Sequence, residues 1–446
     1  MKMSLSKILL MFLMLASFIT SNAQKNALVA GPMLGHTDMR ETNIWVATQQ
    51  PGKVIVEYWR KGEPGNVKTA VGIVKDDAYK NTLINVYGLE PGLDYNYRIK
   101  VGDDKKYTSY PAKADSAYAF STEPLWQYRN DPPPFKFAIG SCAFINDSIY
   151  DRPGKPYGKN YQTFSSIVKS DPDFMLWLGD NIYLREVDFE SKSGVIYRYM
   201  HSRSIPSLSS LLAYCPNYAI WDDHDFGPND SNGSFVQKDN TLEAFTRFWG
   251  NPTYGGSATG PGITTNFAYE DAEFFLLDNR FNKTLESTVG VEPTILGQQQ
   301  IDWLITALKT SKATFKFIAI GGQVLSTEAK FENYAVYPKE RQLLLDLIEK
   351  NNIKGVVFLT GDRHCTELSA LTLPNGNKVY DLTCSPLTSG AYDNTKENNT
   401  LRVEGTIVPE QNYGIIEITG PQKERKLTIN IYTSTGTLAW TRTLDF

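Results

Sequence analysis

The chain runs to 446 residues with 41% hydrophobic and 12% aromatic content, a globular composition too long for one ordinary core. Lys and Arg number 45 against 49 Asp and Glu, giving a net charge of −4. No basic run breaks that balance, which argues against sustained binding along a nucleic-acid backbone.

The N-terminus reads as an export signal over residues 1–23. Lys2 and Lys7 precede an apolar stretch from Ile8 to Ile19, and Ser21-Asn22-Ala23 supplies a small-x-small cleavage pattern. The stretch is too short to span a bilayer and no second one follows, so maturation near Gln24 and a soluble periplasmic or secreted protein are expected. Residues 27–122 read as all-β. The segments 43–48 and 53–59 are rich in branched and aromatic residues and are bounded by Pro-Gly turns. Leu89-Glu-Pro-Gly-Leu-Asp-Tyr95 resembles the tyrosine corner of fibronectin type III-like sandwiches. Residues 123–134, ending in three prolines, read as a linker.

From residue 135 the pattern changes to strand–helix alternation. Ile301, Leu304, Ile305 and Leu308 recur at helical spacing, and Pro338 opens a second helix whose expected apolar face is Leu343, Leu344, Leu347 and Ile348. Apolar strands between such helices imply mixed sheets covered by helices. Residues 250–265 form a Gly/Pro-rich loop that overhangs the site or merely connects.

Four apolar runs end on chemistry. Phe135–Cys142 closes on a thiol. Asp173–Tyr183 contains Gly179-Asp180-Asn-Ile-Tyr183, where the carboxylate can bridge two hard cations and a phenolate suits a strongly acidic ion such as ferric iron. Tyr218–Asp225 contains Trp221-Asp-Asp-His-Asp225, three carboxylates around one imidazole, with His224 a candidate general acid kept protonated by Asp225. Asn229 and Asp230 follow. Val356–His364 ends in Gly361-Asp-Arg-His364, where alternation along an extended chain would put Asp362 and His364 on one side and Arg363 on the other. Two of the four histidines fall in these endings; His36 and His201 read as structural or exposed. Cys142 can be a metal ligand, a nucleophile or an inert thiol, and the ligand reading suits the surrounding acids. Pairing among Cys215, Cys365 and Cys384 is open.

Taken in order, Gly140-Ser-Cys142, Gly179-Asp-Asn-Ile-Tyr183, Trp221-Asp-Asp-His-Asp225 and Gly361-Asp-Arg-His364 resemble the PhoD-like alkaline phosphatases of the calcineurin-like metallophosphoesterase superfamily. The resemblance spans essentially the whole mature chain. It implies an α/β metallophosphatase-type sandwich over 135–446, preceded by the β-sandwich. It also implies a ferric ion held by Cys142, Asp180, Tyr183 and His364, with calcium beside it, Asp180 bridging and Asp362 on the calcium side. Arg185 matches a phosphate-clamping arginine, and Asn229 matches the phosphate-contacting asparagine and serves as a further metal ligand. Asp223 and His224 are the remaining catalytic candidates. Asp225 stands where many members have Glu, and Cys384 stands where serine or threonine is expected. The expected activity is hydrolysis of small phosphoesters by a metal-bound hydroxide. The alternatives are a phosphodiesterase for nucleotide or lipid-headgroup diesters, and a cell-surface binding protein with a decayed site.

Overall fold

The computed structural model describes residues 26–446 except 104, 105, 114 and 155. The expected export signal lies outside the described residues. Eight strands form the N-terminal all-β part: β1 (Leu28–Thr37), β2 (Glu41–Thr48), β3 (Gly52–Arg60), β4 (Lys68–Val74), β5 (Asn81–Tyr87), β6 (Asp94–Asp103), β7 (Lys106–Tyr110) and β8 (Tyr118–Ser121). They make one sheet in the order β1-β2-β5 and a second in the order β4-β3-β6-β7, with β8 also pairing β6. Alternation sets their facing: Val54, Val56 and Tyr58 of β3 point into a core with Ile44, Val86 and Ile99. The Glu90 N–H donates to the Tyr95 hydroxyl at 3.0 Å, which fastens the Pro-Gly turn to β6.

The C-terminal part alternates strands and helices from β9 (Phe135–Gly140) through α1 (Gln162–Lys169), β10 (Phe174–Leu178), α2 (Lys192–Arg203), α3 (Pro206–Tyr214), β11 (Asn217–Ile220), α4 (Asp223–Phe226) and α5 (Lys238–Phe248). A hairpin, β12 (Thr265–Tyr269) and β13 (Ala272–Leu276), leads to α6 (Gln298–Thr310), β14 (Phe315–Ala319), α7 (Pro338–Lys350) and β15 (Val356–Thr360). Antiparallel pieces finish it: β16 (Glu367–Thr372), β17 (Lys378–Thr383), β18 (Asn412–Thr419), β19 (Lys426–Thr433) and β20 (Leu438–Leu444). Two six-stranded mixed sheets result, ordered β11-β10-β9-β18-β19-β20 and β12-β13-β14-β15-β17-β16. β9, β10 and β11 run parallel in the first, as do β13, β14, β15 and β17 in the second.

The sheets meet through aromatic rings. Phe137 of β9 sits edge-on, 5.1 Å, to both Phe274 of β13 and Phe317 of β14, and Phe174 of β10 sits 5.2 Å from Phe274. Helices cover the outer faces. Trp177 meets Phe164 of α1, and Ile301, Leu304, Ile305 and Leu308 of α6 pack with Ile318 and Phe358. On α7 the buried stripe is Leu344, Leu345 and Ile348, while Leu343 is exposed. Leu345 takes the place expected of Leu343, because three adjacent leucines do not fix the phase of a helix.

The two parts share core. Trp45 of β2 is fully buried, donates its indole N–H to the Arg247 carbonyl at 2.8 Å, and has the Arg203 guanidinium 4.2 Å above its ring. The 250–265 loop belongs to this junction: the His36 N–H donates to Gly250 O at 2.7 Å, and no residue of the loop lines the main cavity. It connects and does not overhang. No helix among the described residues is long and apolar enough to cross a membrane.

Candidate metal centre

The parallel strands of both sheets release their C-terminal ends to one place, the crevice where α/β sheets collect ligands. β9 delivers Cys142, β10 delivers Asp180 and Tyr183, β11 delivers Asp222, Asp223 and His224, β13 delivers Arg280, and β15 delivers Asp362 and His364. Turning off a buried strand this sharply costs backbone strain. Cys142, Asp180, Asp362 and His364 all have positive φ, at 59°, 51°, 67° and 54°. Each left-handed residue with a Cβ costs about 1–2 kcal/mol, and strain held at four prospective donors is the pattern of a functional site. Gly179 has φ 92°, and a Cβ there would lie 2.7 Å from Asp222 Cβ. Only glycine lets β10 and β11 turn off side by side.

β15 ends at Thr360, so Asp362 and His364 share the cavity through this left-handed turn and not through the alternation of an extended chain. Arg363 also reaches the cavity wall, but its guanidinium is engaged by Gln323 and Glu397, each at 2.7 Å.

The donors fall into overlapping groups whose ligand atoms lie within 4.8 Å of one another: Cys142, Asp180 and His364; Asp180, Asp223 and His224; Asp222, Asp223 and Asp362; Asp223, Asp230 and Glu332. Cys142 Sγ lies 3.6 Å from Asp180 Oδ2 and accepts from the Ser385 hydroxyl at 3.0 Å. Tyr183 Oη lies 3.2 Å from His364 Nε2, while the Tyr157 hydroxyl lies 3.0 Å from Nδ1 on the other side of that ring. The Tyr183 and His224 rings meet at 4.3 Å, tilted by 32°. Asp180, Tyr183, Asp223, His224, Asp362 and His364 line a cavity of about 820 Å³ together with Arg185, Asn229, Arg152, Phe331 and Tyr392.

Electrostatics test whether these groups fit metal. Burial, then the Asp223 charge, push the Asp180 carboxyl well above its ordinary range. Burial, then Asp222 and Asp223, raise Asp362 to about 7. Burial and then Asp180 push up both the Cys142 thiol and the Tyr183 phenol. Burial, then His224, lower His364 to about 4. Asp223 shifts downward, because His224 and Arg280 outweigh its burial. Without cations the cluster must hold protons to stay buried. Asp222 Oδ2, Asp223 Oδ1 and His224 Nδ1 are buried with no hydrogen-bond partner among the described residues, which is costly unless something accepts their lone pairs. Thiol, phenol and imidazole on one side and carboxylates on the other form a donor set that fits metal ions.

A family model described as PhoD-like phosphatase matches residues 137–424. The chain belongs to the PhoD-like phosphatases. Alkaline phosphatase D of Bacillus subtilis (strain 168) is 24% identical over 401 residues, covering 78% of this chain and 64% of that relative's length. The fold resembles a solved structure of PhoD, with TM-score 0.72 and 18% identity over 96% of this chain and 94% of that one. It also resembles a purple acid phosphatase from yellow lupin (Lupinus luteus) seeds, with TM-score 0.64 and 12% identity over 92% and 73% of the respective chains. Residues 25–119 match a separate family described as a domain of unknown function (DUF7800).

Of the candidate site residues, Asp180, Tyr183, Arg185, Asp223, His224, Asn229, Asp362 and His364 line the cavity, and Cys142 lies behind Asp180. Cys142 is fully buried against Asp180, and Arg185 lines the wall with Asp151 3.7 Å away. Asn229 is exposed at the rim. Asp225 does not face His224. Its carboxylate accepts the backbone N–H groups of Asn181 at 3.1 Å and Asp222 at 3.0 Å and pins the β10 and β11 endings together, so no carboxylate partner for His224 comes from it. His36 and His201 are structural: His36 Nδ1 lies 3.2 Å from the Tyr218 hydroxyl, and His201 Nε2 lies 3.0 Å from Asn146 O. All four cysteines are buried and unpaired, which closes the pairing question. Cys384 packs in the core, its sulfur 3.6 Å from Ile139 O.

The sequence reading missed Arg280 and Glu332. Arg280 is buried against Asp222, with Nε to Oδ1 at 2.6 Å, and against Glu332 at 2.6 Å, with Asp223 at 3.8 Å. It offsets part of the negative charge of Asp222, Asp223 and Glu332 within the cluster. No local pattern marks it, since its partners lie about fifty residues away on either side. Tyr157 was missed for the same reason.

Proposed function

We propose that this protein is an exported, metal-dependent phosphoesterase of the PhoD type. The observation that supports it most is the convergence of Cys142 and His364, with Tyr183 beside it, on Asp180 from one side and of Asp223 and His224 from the other, with Asp362 and Arg185 in the same cavity wall. Cys142, Asp180, Tyr183 and His364 would hold ferric iron. Asp180, Asp362 and Asn229 would hold calcium. Such ions, when bound, acidify water and withdraw charge from phosphoryl oxygens.

The chain's own residues do the rest. Arg185 clamps the phosphoryl oxygens, as a guanidinium fork does well, and Asp151 holds its guanidinium toward the cavity. His224, whose ring meets Tyr183 at 4.3 Å in the cavity wall, would hand a proton to the leaving oxygen. Asp223 keeps His224 company as a charge partner. A complete donor set gives no support to the decayed-site alternative. A cavity of about 820 Å³ leaves room for substituents on both sides of phosphorus and favours diesters as a second substrate class.

The same reading places a signal at 1–23, a β-sandwich at 27–122, a linker at 123–134 and the catalytic domain at 135–446. The Tyr95–Glu90 bond supports fibronectin type III-like kinship for the sandwich. Purified protein is expected to contain iron and calcium, to show a visible tyrosinate–iron absorption, and to cleave p-nitrophenyl phosphate or its bis ester. Relative rates on the two esters decide between mono- and diesterase.

A further inference from the structure

The cavity mouth carries two large rings that folding does not account for. Phe331 is 63% exposed and Tyr392 is 42% exposed, yet both line the same cavity as Asp180 and His364. Scattered exposed aromatics are ordinary; these two are not scattered. Their rings meet edge to face, 6.2 Å apart at 81°. One of them sits on strained backbone: Phe331 has φ 51°, a conformation that bulky residues avoid. The strain is held by site residues. The next residue, Glu332, is clasped by Arg280 and Lys283, and the Phe331 ring lies 4.9 Å from the guanidinium of Arg363, between Asp362 and His364. Tyr392 is tied to the same ending, its N–H donating to the His364 carbonyl at 2.8 Å. Both rings are therefore fixed relative to the donors while their outer surfaces stay open to the cavity.

A rigid, solvent-facing aromatic corner beside a phosphoryl site suits one kind of ligand group. A flat ring on the leaving side stacks on it at little entropic cost, because neither protein ring needs to be ordered on binding. Polyol or short alkyl leaving groups gain nothing there.

We infer that Phe331 and Tyr392 form a leaving-group subsite for phosphoesters whose alcohol carries a flat aromatic ring, an aryl group or a nucleobase. This rests on the phosphoesterase reading above for the phosphoryl half of the ligand.

The test is titration calorimetry of the metal-loaded protein with phenylphosphonate and with methylphosphonate, which differ only in the ring. The wild-type protein is expected to favour the phenyl compound by about three- to tenfold. Phe331→Leu keeps an apolar cover over Arg363 but removes the ring, and is expected to bring the ratio close to one. Tyr392→Leu should lower it in the same direction. KM for adenosine monophosphate against ribose 5-phosphate then separates the two ring sources: a nucleobase advantage that Phe331→Leu abolishes assigns a nucleoside, and an advantage for phenyl alone assigns a simple aryl group. Equal affinity for the two phosphonates in wild type, no binding of either, or a ratio unchanged in Phe331→Leu overturns the subsite. Retained phenyl preference in a protein that hydrolyses no phosphoester would instead sink the catalytic reading and leave the subsite standing.

Discussion

The two ring nitrogens of His364 face different neighbours, with Ser389 Oγ 3.3 Å from Nε2. Nε2 faces Tyr183 and the prospective metal side, and Nδ1 faces the Tyr157 hydroxyl at 3.0 Å. A ligand imidazole needs its far nitrogen fixed so that the near one presents its lone pair. Tyr157→Phe is therefore expected to weaken metal retention by about 10- to 100-fold, read as metal per protein after graded chelation, with unfolding little changed because the ring and its packing on Phe144 are kept. Asp180→Asn goes further. It removes the one carboxylate that the proposed iron and calcium groups would share, so iron content, visible absorption and hydrolysis should fall together, the last by about 100-fold or more. A variant that kept its colour but lost hydrolysis would assign Asp180 to chemistry alone.

At the scale of elements, the site depends on how each strand stops. The runs ending at Gly140, Leu178, Ile220 and Thr360 were legible because parallel strands buried on both faces read as continuous apolar stretches. Their terminal acids and histidines stand out against that background. The left-handed turn that swings Asp362 and His364 together was not legible, since it is enforced by packing and not by glycine at those positions. Nor was the β18–β20 meander, whose partners come from β9 nearly three hundred residues earlier. Arg280 at the end of β13 shows what such long-range placement does. It is 1% exposed between Asp222, Asp223 and Glu332, and Arg280→Met leaves those acids buried without their cation. The expected loss is about 3–5 kcal/mol of stability, seen as a lower melting temperature. Calcium should recover part of it, because a ligand that binds the folded site alone stabilises it.

Over the whole molecule, the all-β part is a structural partner of the catalytic part and not a tethered module. Trp45 is buried in the shared core, and Glu123 just after β8 is tied to Glu270 after β12. The Glu270 N–H donates to the Glu123 carboxyl at 3.1 Å, with Asp38, Asp173, Asp271 and Arg425 around them. Burial raises Glu123 from 4.5 to about 7, and burial with the Glu123 charge raises Glu270 from 4.5 to about 8. The folded form thus keeps protons that the unfolded chain has released. The pair's contribution is present in full below about pH 4.5 and is lost as pH rises through about 8. Melting temperature should drift downward across that window, and Glu270→Gln should flatten the drift. A slope of the opposite sign, or one unchanged in Glu270→Gln, would place the pair in solvent.

The central claim, metal-dependent phosphoester hydrolysis at the crevice of the two sheets, has one direct measurement. Purified protein is assayed on p-nitrophenyl phosphate and on bis(p-nitrophenyl) phosphate before chelation, after it, and after iron and calcium are returned. The account predicts turnover of at least one ester, its loss together with the visible absorption on chelation, and recovery of both only when both metals are restored. A metal-replete protein that is colourless and inactive on both esters, or one whose turnover survives complete chelation, would contradict it.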